Sequence, residues 1–134
     1  MTDHIRSNRQ TIQPSFVSGI RVLLLVEAVA FGLASLIHRG LLVSGYADPG
    51  ASTAEGIIGI VLALGLLATF LMVERTRLAA LLAQGFALAG TSIGLFLVIR
   101  GVGPNTVPDV IFHVGIWLLL LVGLIVAARG PSSA

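Results

Sequence analysis

The chain contains no cysteine and no lysine. The first absence excludes disulfides, thiolate metal sites and cysteine nucleophiles. The second leaves all eight basic charges to arginine, a bias that, with the abundance of Ala, Gly, Leu and Val, points to a GC-rich bacterial genome. Charge of either sign is scarce: 10% of 134 residues are charged and 56% are hydrophobic. A soluble domain of that size needs far more polar surface. The net charge of +2 lies at segment ends and forms no basic patch, which argues against nucleic-acid binding. The sequence also has no nucleotide loop, no GxSxG and no Ser-His-Asp order, so nothing marks a self-contained enzyme with a large soluble substrate.

What is present is four long apolar runs, each near the ~20 residues that cross hydrocarbon. They predict an all-α integral membrane protein, a four-transmembrane-helix up-down bundle forming one domain over 16–130. A polar leader, 1–15, precedes it and a tail, 131–134, follows. The expected spans are 16–43, 55–73, 78–99 and 108–128. Arg6, Arg9 and Arg21 before the first run also suit a signal peptide. Glu27 inside that run, and the lack of a small-x-small cleavage site, favour a retained span.

The breaks carry the usual signals. Ser44 to Thr53 is rich in turn formers, with Ser52 or Thr53 as the expected N-cap and Glu55 in the first turn of the second span. Glu74-Arg75-Thr76-Arg77 reads as a tight polar turn. Pro104 and Pro108 break the chain after Arg100, and Pro108 suits the first position of the fourth span. Arg6, Arg9, Arg21, Arg75, Arg77 and Arg129 fall on one side, against Arg39 and Arg100 on the other. The positive-inside rule then puts both termini in the cytoplasm, with the chain multi-pass in the inner membrane. Arg39-Gly40 and Arg100-Gly101 each close an outward-going span. Small residues recur at four-residue spacing (Ala28/Gly32, Ala30/Ala34, Gly59/Ala63, Gly85/Ala89, Gly90/Gly94), which suits close packing within one bundle or, as the alternative, a homodimer face.

Ionisable groups inside a span are costly, so each needs a partner and is a candidate site. Depth sorts them into two layers. Glu27 and Gln84 each lie six residues into a span that starts at the cytoplasmic side, Glu27 counted from Arg21 and Gln84 from Leu78, and are expected to pair. Gln84 and Thr91, seven apart, share a face. Eleven residues beyond Glu27, about 16 Å along the helix, His38 sits on the same face. Asp109 and His113 are four apart on the fourth span, and Glu55 opens the second at the same level. These four form a candidate outer site.

Imidazole with carboxylate suits a Zn, Fe, Mn or Cu ion held by His38, Glu55, Asp109 and His113, with Asp109 alternatively orienting His113 from behind. A b-type haem is the second possibility, with His38 and His113 as axial ligands and Arg39 and Arg100 beside the propionates. A quinone or other lipid-soluble ligand held by one histidine is a third. The plainer reading leaves His38 in the headgroup zone and makes Glu55 and Asp109 ordinary helix-start residues. No HExxH or Glu-x-x-His spacing supports the metal.

Glu27 within Val26-Glu27-Ala28-Val29-Ala30 resembles the first-helix glutamate of small multidrug-resistance transporters, which are also short four-span proteins. The resemblance covers a handful of residues and implies a proton-coupled transporter working as a dimer. It departs at Trp117, which lies in the fourth span, at the long first outer loop, and at His113. An accessory subunit of a larger membrane complex, with no chemistry of its own, completes the alternatives.

Overall fold

A computed structural model describes residues 13–103 and 106–130. Among them all regular structure is helical. The order is α1 (Pro14–His38), α2 (Pro49–Leu71), a 3₁₀ turn (Val73–Arg75), α3 (Thr76–Ile99) and α4 (Val107–Arg129). All four helices are long and apolar enough to cross a membrane. The shortest have 23 residues, about 35 Å of helix against a hydrocarbon core of about 30 Å. Most of the expected leader and the tail lie outside the described residues.

The helix ends correct several boundaries. α1 stops at His38, five residues before Val43, because Gly40 takes φ +73 and closes a Schellman motif. Its N–H donates to the Ile37 carbonyl at 2.8 Å, and that of Leu41 to the Leu36 carbonyl at 3.2 Å. α3 ends the same way: Gly101 has φ +74, with Gly101 and Val102 bonded to Val98 and Leu97. Arg39-Gly40 and Arg100-Gly101 are therefore the same helix stop used twice.

α2 starts six residues before the expected Glu55. Its cap is Asp48, whose Oδ1 accepts the Ala51 N–H at 3.0 Å, and not Ser52 or Thr53. Pro49 at the first position explains this, since it lacks an N–H that would go unbonded there anyway. Glu55 consequently sits in the second turn. At α4, Thr106 is the cap and Pro108 the second residue. Glu74 and Arg75 fall in the 3₁₀ turn, while Thr76 and Arg77 already belong to α3.

Consecutive helices run antiparallel. At the end nearest the chain termini, Arg21 Nη2 of α1 donates to the Thr69 carbonyl of α2 at 2.7 Å, and Arg77 of α3 to the Ala128 carbonyl of α4. Gly130 lies against the Phe16 ring, which brings the last helix to the first. Small residues permit these approaches. A Cβ at Gly59 would meet Phe31 Cβ at 3.4 Å and the Gly32 nitrogen at 3.5 Å. One at Gly65 would come within 2.5 Å of Ala83 Cβ, so α2 and α3 touch nearly backbone to backbone.

The radial distribution inverts that of a soluble protein. Ile20, Leu24, Phe31, Ile58, Leu62, Ala87, Ile116 and Leu120 fill the core, yet long apolar side chains such as Ile60, Leu64, Ile99 and Ile111 stand exposed around the outside. Glu27 and Gln84 meanwhile are fully buried. A water-facing surface does not carry so continuous an apolar coat, whereas a lipid-facing one does.

Candidate functional site

Two polar layers occupy the interior. In the layer nearer the chain termini, Gln84 Nε2 donates to both carboxyl oxygens of Glu27, at 3.2 and 3.1 Å. Gly123 of α4 packs directly on the pair; a Cβ there would stand 2.9 Å from Glu27 Oε1 and overlap the Gln84 amide. Gln84 Oε1 is buried without a partner. Phe31, one turn along from Glu27, and Ile58 belong to the core and line the cavity beyond.

At the opposite, distal end three helices bring together the other four residues. α1 ends on His38, α2 carries Glu55 in its second turn, and α4 holds Asp109 and His113 one turn apart. His38 Nδ1 lies 2.7 Å from Glu55 Oε2, and its Nε2 lies 3.8 Å from Asp109 Oδ1. Asp109 Oδ1 is in turn 3.4 Å from His113 Nδ1. His113 Nδ1 also sits 2.9 Å from the Asp109 carbonyl oxygen. A carbonyl only accepts, so Nδ1 carries the proton and Nε2 keeps its lone pair when the ring is neutral. Glu55, His38, Asp109 and His113 thus form one polar chain, with all four at most 9% exposed.

This chain borders a cavity of about 270 Å³ between the helices. Asp48, Thr91 and Gly94 line it as well, while Arg39 and Arg100 do not. Gly94 leaves room for the imidazole, since a Cβ there would stand 3.3 Å from His113 Nε2. Glu55 Oε1 is buried and has no hydrogen-bond partner. Three carboxylates and two imidazoles therefore surround a space that no arginine lines.

Asp48 escaped the sequence reading, which assigned it to a turn. The available signal was Asp-Pro, a cap followed by a first-position proline, which ties the aspartate to the mouth of α2. Its backbone N–H donates to the His38 carbonyl at 2.8 Å, and its Oδ2 lies where a Cβ on Gly103 would reach 3.0 Å. Asp48 and Gly103 thereby come together at the cavity.

Two expectations gain no direct support from this geometry. The histidine, aspartate and glutamate side chains do not form a ready coordination sphere: among the described residues no three of them are placed to hold a metal ion. Instead His38 bonds Glu55, and His113 bonds the Asp109 backbone carbonyl. The b-type haem reading gains no support either, on space or from the arginines. Asp109 stands between the two imidazoles, and the cavity is below the ~300–1,000 Å³ usual even for drug-sized ligands. Arg39 Nε donates to Ser52 Oγ at 3.2 Å, inside a clasp in which Ser35 and Ser52 exchange hydrogen bonds between α1 and α2. Arg100 lies over the Phe96 ring, 5.9 Å from its centre. Neither arginine lines the cavity.

Comparisons with protein families, with curated proteins and with solved structures find no match to this chain.

Proposed function

We propose that this chain is a four-span protein of the bacterial inner membrane, with both termini cytoplasmic, that binds a small cation in the cavity between its outer helix ends. The supporting observation is Glu55 Oε1, a buried carboxylate oxygen without a partner beside a cavity lined by Asp48, Asp109 and two histidines and no arginine. A buried acceptor left unmatched is costly, and a positive charge or a strong donor removes that cost. Both imidazoles have Nδ1 engaged, by Glu55 and by the Asp109 carbonyl, which fixes the rings with Nε2 left over. A divalent metal ion and a small organic cation share the required chemistry. With the donors spread apart, a metal ion would keep part of its water shell.

Arg21, Arg75, Arg77 and Arg129 at one end, against Arg39 and Arg100 at the other, support the orientation. The lipid bilayer is the one partner this reading needs; a homodimer or a larger complex is not required by a site built within one chain. Transport centred on Glu27 is less well supported, because that side chain is fully buried against Gln84 and packed under Gly123.

Calorimetric titration of the detergent-purified full chain with Zn²⁺, Mn²⁺ and guanidinium separates the arms. One of them should bind saturably, and Glu55→Gln should weaken it about tenfold or more. Lowering the pH should also weaken it, since protons compete for the same oxygens and nitrogens. Binding that is absent for all three, or unchanged in the variant, contradicts the proposal.

A further inference from the structure

His38 and Asp109 border a second space. A groove of about 470 Å³ runs between α1 and α4 on the outside of the bundle. It is within the ~300–1,000 Å³ range of pockets that take small organic ligands. Ala30 and Ala34, one turn apart on α1, leave it open, and Tyr46 and Phe112 supply aromatic wall. The remaining lining is aliphatic or proline, so its ionisable groups, apart from the Tyr46 phenol, are His38 and Asp109, both more than nine-tenths buried. The groove therefore has the character of lipid along its length and of a hydrogen-bonding site at one place.

We propose that this groove binds an aromatic-headed membrane lipid of the quinol class, its ring between Tyr46 and Phe112 and one ring hydroxyl between His38 and Asp109. His38 Nε2 and Asp109 Oδ1 are 3.8 Å apart, too far to bond each other. A hydroxyl oxygen fits beside that gap, with its one proton to donate to either of these two acceptors. With Nδ1 donating to Glu55, a neutral His38 offers Nε2 as an acceptor for the quinol O–H. A flat ring suits the aromatic walls, and the apolar chain follows Ala34 and Ala30 toward mid-membrane. A phospholipid acyl chain would leave the histidine and the aspartate unmatched. A water-soluble ligand would have to enter through an apolar mouth. The assignment is of binding alone, and it does not depend on the cation cavity being filled.

The test is equilibrium binding of decylubiquinol to the full chain in nanodiscs, with an azido-quinone analogue to map the contact. The wild type should bind saturably and be photolabelled within 30–46 of α1 and its following loop and 108–112 of α4. Ala30→Leu, which fills the groove away from the polar pair, should weaken binding about tenfold, as should His38→Ala, which removes a hydrogen-bond partner. Cation binding should survive Ala30→Leu, so that the groove and the cavity fail separately. Binding equal in both variants, label spread over all four helices, or displacement by an equal amount of phosphatidylcholine would overturn the inference. Photolabelling needs only the wild type and decides the matter if a variant does not fold.

Discussion

Gly123 carries a constraint that its exposure alone does not reveal. Its missing side chain is the space occupied by the Gln84 amide and Glu27 Oε1. Gly123→Ala should therefore cost about 1–3 kcal/mol, read as a lower melting temperature in detergent. Gly85→Ala, where an added Cβ meets nothing within 4 Å, should leave it unchanged or slightly higher. Glu27→Gln preserves a hydrogen-bonding partner for Gln84 and should be tolerated better than Glu27→Leu, which leaves the amide alone in the core. The meeting of Glu27 and Gln84 was legible in the sequence, because both lie at equal depth on spans of the same direction. The direction in which each imidazole presents Nε2 was not legible. That depends on which neighbour takes Nδ1, and depth alone does not choose among Glu55, the Asp109 carboxylate and the Asp109 carbonyl.

At the scale of elements, hydropathy located four helices, and the errors gather at their ends. Leu41, Leu42 and Val43 are as apolar as any span residue, so hydropathy continues α1 to Val43. Gly40 decides otherwise, since a left-handed residue ends the hydrogen-bond ladder however apolar the continuation. In the same way the Ser and Thr at 52 and 53 look like caps, yet Asp48-Pro49 claims the start one turn and more earlier. These ends matter because they build the site: moving α2 back to Pro49 sets Asp48 beside His38 and places Glu55 under it. Gly40→Ala and Gly101→Ala should each cost about 1–2 kcal/mol through the left-handed backbone. Asp48→Ala should cost about 1 kcal/mol for the cap and lower cation affinity as well. Gly101→Ala, by contrast, should show its main effect in the melting temperature.

At the scale of the whole molecule, the described residues form a bundle with polar groups within and aliphatic groups without. Its lack of cysteine makes the orientation simple to test, since a single cysteine at Tyr46 should react with an impermeant maleimide added outside intact cells. One at Glu74 should react only after the membrane is opened. The reverse pattern would invert the bundle and put the cavity in the cytoplasm. The central claim, that the distal cavity receives a cation at the Glu55–His38–Asp109–His113 chain, is tested most directly by ¹⁵N NMR on protein labelled only at its three histidines. Adding the cation identified by titration should shift the resonances of His38 and His113. Resonances of His38 and His113 unmoved under saturating cation would contradict the account.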